Sequence, residues 1–417
     1  MGPNDIGAMA VRRRRGRALA ILAAIAASGL LTAWPGTAGA QGAGAPQPGP
    51  DDAVVAGSLP AAGTKTVPTW LDTYTDPTNG QQYAETMVGA EDPRAPGAGT
   101  TVVQAEVVPL DFIFTGDNNK TFAGSEDIPA VLGSPMFQQV DFSQVSDNPH
   151  EQYLDAIERS EFNQVGSSSF HLLLAPTVLP TLSLSVTASH GQVLTYPTGA
   201  PYGCVDANWL FDRIWEYIHT HNIGPQTVPI FIMEWTRGGI MFKGSCIPAF
   251  SGVHGAGNPG RGHGASGAEV MGQTWMISTY EPAPIRTPTP DHPYMYTNIA
   301  VLGHEISEWA HDPYGLNVVQ PYRFPTIVPG PVVCASIFET GDPVGRYNIT
   351  LPGNTYFQSL SGNDGTWQVQ DEVFLPWFAR QAPNLTSEPE ASSGSGRYTF
   401  FGDVNPDSRF HTTAHSC

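Results

Sequence analysis

The stretch from Asn298 to Pro313 constrains the fold of this chain more than any other. Its apolar and ionisable residues recur with a helical period and separate into two opposed faces. With His304 as origin and about 100° per residue, Glu308 falls at about 40°, His311 at about −20° and Glu305 at about 100°; Ile299, Leu302, Ile306 and Trp309 gather around roughly 180°. Asn298 reads as the N-cap and Asp312-Pro313 as the stop, since a residue before proline is pushed out of the helical region. One face therefore belongs in a core, and the other collects two imidazoles and two carboxylates. On a solvated surface His304 and Glu308 would be an i,i+4 pair worth roughly 0.2–0.5 kcal/mol. Around a divalent ion the same side chains would be ligands, because zinc accepts both imidazole and carboxylate.

The N-terminus indicates where such a helix would work. Arg12 to Arg15 and Arg17, an Ala/Leu/Ile-rich stretch over 18–33, and Ala38-Gly39-Ala40 follow the pattern of a signal peptide ending at residue 40. The apolar run is short for a bilayer span and ends in Trp34-Pro35-Gly36. Without residues 1–40, which hold five arginines and one aspartate, 14 basic and 37 acidic residues remain, a formal charge of −23. Such a charge repels nucleic-acid phosphates and anionic membrane surfaces. It suits a secreted protein, whether extracellular, periplasmic or in the cell envelope. The four cysteines fit two disulfides in an oxidising compartment. Three pairings are possible, and the shorter loops favour Cys204–Cys246 with Cys334–Cys417. No Cys-x-x-Cys pair supports a sulfur metal site.

Residues 41–66, rich in Ala, Gly and Pro, read as a flexible leader. From residue 67 the patterning predicts strands over 102–114, 170–175, 182–188, 228–235, 269–280, 332–338 and 397–401. It predicts helices over 149–162, over 206–221 with Asp206 as N-cap, and over 368–381 with a break at Pro376. Strands and helices mix without regular βαβ alternation, which gives an α+β class.

Residues 303–308 resemble the active-site helix of the zincin metallopeptidases, whose pattern is His-Glu-x-x-His. In that family both histidines bind zinc and the glutamate after the first polarises the attacking water. The resemblance implies a zincin-like mixed sheet with an active-site helix, one catalytic domain over 67–417, and a smaller C-terminal subdomain from about residue 313. It makes His304 the first ligand and Glu305 the general base. Glu308 stands where the family has its second histidine. Glu339 lies downstream, as does the third, glutamate ligand of the gluzincin branch, and follows a predicted strand; His311 is held in reserve, being about 10 Å along the axis from His304. Asp342 is assigned either to orienting a ligand or to capping a turn. The expected ion is Zn2+, with manganese or iron admitted by an oxygen-rich donor set. The expected substrate is a peptide or protein, held by the strand over 269–280 as zincins hold an extended peptide on an edge strand.

Other signals carry less. Gly255 to Gly260 fits Gly-x-Gly-x-x-Gly, but a proline interrupts it and no helix follows. Residues 252–267 read as a mobile loop, which sets aside its His254 and His263 as ligands. His219 and His221 suit a helix C-terminus. No Gly-x-Ser-x-Gly elbow is present, and Asp371-Glu372 diverge too far on a helix for paired-acid glycoside hydrolysis. The rival to a peptidase is a non-catalytic exported protein, a cell-envelope or carbohydrate-binding module that keeps the helix for packing.

Overall fold

A fifteen-residue strand, Thr100–Phe114, organises the molecule. The computed structural model describes residues 52–55, 63–142, 150–164, 168–196, 199–257, 272–282, 298–324, 333–344, 348–350, 367–381 and 398–400. The expected signal peptide, His263 and Cys417 lie outside the described residues. The main sheet contains β1 (Asp52–Val55), β2 (Thr100–Phe114), β3 (Lys120–Ala123), β4 (His171–Val178), β5 (Leu182–Val186), β6 (Thr227–Glu234), β7 (Gly252–Ala256) and β8 (Thr274–Tyr280). Its order is β1-β7-β8-β6-β2-β3, and β4 and β5 also pair with β2. β2 runs parallel to β4, β5 and β6, β8 runs parallel to β6, and β7 is antiparallel to β8. The mixed sheet with few helices bears out the α+β class.

Strand alternation divides the interior in two. Val228, Ile230, Ile232 and Met276 point to one face; Phe231, Met233, Trp275 and Ile277 point to the other, as a period of two requires. With both faces covered, β6 reads as an almost unbroken apolar run. On the first face lie helices α1 (Gly124–Leu132), α2 (Tyr153–Glu161) and α4 (Ala300–His311); α3 (Ala207–Thr220) covers the second. Asp206 caps α3 as expected, accepting from Trp209 N. Ile299, Leu302, Ile306 and Trp309 bring the apolar face of α4 onto the first core, each burial contributing about 1.5–3 kcal/mol.

Three expectations change. Residues 252–256 form β7, not a loop: Val253 packs in the second core, and the pairing with β8 satisfies the backbone. Glycine and histidine hid the alternation there. Asp52–Val55, within the stretch read as leader, adds a parallel strand to β7. The predicted helix over 368–381 is a strand at Gln368–Gln370, paired with Asn348–Thr350, followed by one turn at Leu375–Phe378. Pro376 sits in the first turn of that element, where its missing N–H costs nothing.

Residues after 313 do not cluster alone. Val319, Tyr322, Phe338 and Trp377 share an apolar cluster with Trp70, Tyr74 and Met87 of a hairpin formed by Thr69–Thr75 and Gln82–Val88. Cys204–Cys246 is a disulfide within a four-stranded sheet. Gly239 makes room for it, since a Cβ there would stand 2.7 Å from one sulfur and 2.9 Å from the other. Cys334 is also disulfide-bonded. Disulfides are compatible with an oxidising, extracellular setting, and no helix among the described residues is long and apolar enough to cross a membrane.

Candidate metal centre

Helix α4 is buried on every side, its polar stripe included. Asn298 lies one residue outside the cap position, at φ 41°; its Oδ1 accepts from Ile299 N at 2.7 Å and its N donates to Glu281 O. At the other end Asp312 N donates to Glu308 O at 2.7 Å, while Asp312 Oδ1 accepts from Leu316 N. The helix is thereby fixed in register against the sheet.

Its first polar pair is His304 and Glu308, with Nε2 and Oε2 3.0 Å apart and both residues 1% exposed. The two oxygens of Glu308 have different surroundings. Oε1 accepts from the backbone N–H groups of Gly341 and Asp342 at 3.1 and 3.2 Å. Oε2 faces His304 Nε2 and, at 3.7 Å, His254 Nδ1. His254 Nδ1 is also 3.3 Å from Glu305 Oε2. Two glycines let these groups approach: a Cβ on Gly341 would stand 2.4 Å from His304 Nδ1, and one on Gly252 would stand 2.3 Å from Glu305 Oε1.

Glu339 is buried beside Glu308 and hydrogen-bonds to it through the side chains. Its Oε1 is buried with no hydrogen-bond partner among the described residues. Burial opposes the ionisation of Glu308, but the His304 imidazole and its hydrogen bond bring the carboxyl down to about 2. Burial, and then the charge on Glu308, hold Glu339 well above the usual carboxylate range. Without another cation, Glu339 therefore carries the proton of the pair. Burial pushes the His254 imidazole down to about 4, so that it is neutral.

Two groups of three bring one donor atom each within 4.8 Å: His304, Glu308 and Asp342, and His254, Glu305 and Glu308. Of the predicted residues, His304 and Glu308 share one group and Glu305 and Glu308 the other, while Glu339 belongs to neither and meets them through its hydrogen bond to Glu308. His311 does not join them. Its Nε2 is 2.7 Å from Glu161 Oε2 and 3.6 Å from Glu158 Oε1, both on α2, and its Nδ1 is 2.8 Å from Ser307 O. A turn and more along the axis, the stripe faces a different neighbour, so the reserve ligand is an ion-pair partner. Burial opposes its protonation, but Glu161 and Glu158 raise it to about 10.

Sequence reasoning undervalued His254 and Asp342. Val253 facing inward in β7 was the available signal for His254, since the next residue must then point to α4. The strand expected to hold substrate, β8, is interior, and β1 covers the outer side of β7. Comparison with family models, curated proteins and solved structures finds no match.

Proposed function

We propose that the chain is an exported metal-dependent hydrolase of zincin type, acting on peptides, with His304 and Glu308 as ligands, a third donor drawn from the facing residues, and Glu305 as general base. One observation carries this reading: Glu308, fixed at Oε1 by two backbone N–H groups, turns Oε2 toward imidazole within a buried acidic cluster. The residues fit a divalent cation. Glu308 and Glu339 in hydrogen-bond contact must share a proton or gain a positive partner, because adjacent carboxylates do not both ionise unaided. The space that Gly341 leaves beside His304 keeps the ring close to the loop. When bound, zinc would polarise a carbonyl and acidify a water at neutral pH; a donor set richer in oxygen would admit manganese or iron.

The chain's own groups have separable tasks. Gly341 and Asp342 N–H hold Glu308 in one orientation. Glu305 accepts a proton at Oε2 and returns it to the leaving amine, as general-base catalysis requires. His254 beside Oε2 keeps that carboxylate in place. An extended peptide would pair with the outer edge of β7, next to Gly252 and His254, once β1 leaves it.

A second reading, a non-catalytic exported protein, has one observation in its favour: all twelve residues of α4 are buried. The two readings separate on Glu305→Gln. In the hydrolase this variant keeps its metal and loses peptide cleavage by about 100-fold or more, the usual contribution of a general base. Equal cleavage by parent and variant, or none by either at full metal loading, would leave the packing reading.

A further inference from the structure

Asp342 enters the centre on a loop that the helix itself holds. The backbone N–H groups of Gly341 and Asp342 both donate to Glu308 Oε1. The loop is also tied from behind: Gly341 O accepts from Gln370 Nε2 at 2.8 Å, and Thr340 O from Val373 N at 2.9 Å. With its backbone fixed on Glu308, Asp342 brings its carboxylate to His304, and one donor atom from each of His304, Glu308 and Asp342 lies within 4.8 Å of the other two. Donors bound tetrahedrally at about 2.1 Å from a zinc ion are spaced about 3.4 Å apart, so side-chain shifts on the order of 1 Å close this trio on an ion. The other group is closed differently. His254 Nδ1 lies 3.3 Å from Glu305 Oε2 and 3.7 Å from Glu308 Oε2, an imidazole set between the two carboxylates. Glu339 belongs to neither group.

A second observation lies outside the trio. Tyr322 Oη and Glu339 Oε1 are buried with no hydrogen-bond partner among the described residues. Burial, and then the charges of Asp342, Glu339 and Glu308, hold the Tyr322 phenol well above its usual range, so its hydroxyl faces these same acids. Unpaired buried polar atoms mark a place for an ion or an ordered water.

Resting on the metal reading above, we infer that the Asp342 carboxylate is the third protein ligand, so that one imidazole and two carboxylates hold a zinc ion between α4 and the loop after Glu339. The two carboxylates formally neutralise the ion, which offsets the cost of burying them. Glu339 then orients Glu308 by hydrogen bonding, and Glu305, held by His254, stays off the metal as general base. This donor set discriminates less between zinc and manganese than two imidazoles with one carboxylate.

X-ray absorption of the full chain loaded with one equivalent of zinc gives the first test. One imidazole with oxygen donors is expected. Two imidazoles around the ion would overturn this donor set and leave the metal reading standing. Failure of the parent chain to hold zinc would overturn both. Asp342→Cys tests the residue itself: at a ligand position it adds a zinc–sulfur distance of about 2.3 Å to the spectrum, which a residue that only shapes the loop would not. Zinc-loaded Asp342→Cys without a sulfur neighbour would overturn the inference. Chelator competition supplies an independent test. Asp342→Asn should bind zinc about 100-fold more weakly or worse, while Glu339→Gln, losing only an orienting hydrogen bond, should lose about 10–100-fold. Folded Asp342→Asn with parental zinc affinity would also overturn the inference.

Discussion

His304 Nε2 lies 3.0 Å from Glu308 Oε2, one helical turn away, in surroundings where neither side chain reaches water. On a surface such a pair contributes a few tenths of a kcal/mol, roughly the value for any i,i+4 pair. In the interior it cannot be incidental, because burying ionisable groups costs several kcal/mol per ion on the order-of-magnitude scale unless they are compensated. The surrounding loop and strand supply further donors in place of apolar filling.

Gly341→Ala tests how closely that compensation is built. The new Cβ would meet His304 Nδ1 at 2.4 Å, well inside van der Waals contact. The ring must shift from Glu308 or the loop must withdraw its N–H groups from Oε1. Zinc affinity should fall about 10-fold or more, the scale seen when ligand-orienting contacts are lost. Unchanged affinity by chelator competition would show that the loop does not position the ring.

His311→Gln should separate stability from metal binding. Its imidazolium pairs with Glu161 and Glu158, and removing one partner of a buried pair typically costs about 3–5 kcal/mol. Zinc content should be unchanged, since the ring faces α2. Denaturant unfolding beside metal analysis checks both expectations. Loss of metal from a folded His311→Gln would restore this residue to the ligand set.

Stability should fall as the pH rises past neutral. His311 is raised from 6.5 to about 10 in the fold, so its contribution is complete below about pH 6.5 and disappears as pH climbs through about 10. Burial pushes Glu158, Glu85 and Asp127 up to about 8. An acid harder to ionise when folded favours the unfolded chain increasingly from its ordinary carboxylate range up to about pH 8. All four groups act in the same direction. The melting temperature should therefore be higher at about pH 6 than at about pH 9, with a shallower decline in Glu85→Gln. A melting temperature that rises over this interval would contradict the assignment.

Much of this arrangement was legible in the sequence, and the exceptions have physical causes. Hydrophobic period placed β2, β4, β5, β6, α2 and α3, and the spacing of His304 and Glu308 required their contact. Glu339 reaches Glu308 because a strand ending at Ile337 delivers the following turn to the helix. His254 stayed hidden because period-two patterning is weak in a strand made of Gly, Val, His, Gly and Ala. The different partners of His304 and His311 could not be read from a wheel, which gives angle but not the neighbour at each height. The short strand at Gln368–Gln370 depends on a distant partner, Asn348–Thr350, so local propensity misassigned it.

The edge of β7 gives a prediction for substrate access. Ala53 and Val54 of β1 pair with Val253 and His254. Proline at either position removes a backbone donor and weakens the ladder. Ala53→Pro or Val54→Pro should raise the rate of peptide cleavage relative to the parent, with zinc content unchanged. Slower cleavage by both variants would mean that β1 supports the site and does not cover it.

The central claim is that these buried side chains hold one metal ion, and elemental analysis of the purified parent chain beside His304→Ala tests it most directly. About one zinc per parent chain, with loss of that metal from a folded His304→Ala, is the result this account predicts, since a three-ligand site does not survive the loss of one donor. A parent chain with no stoichiometric transition metal after incubation with zinc, or a variant that retains it at parental affinity, would contradict the account.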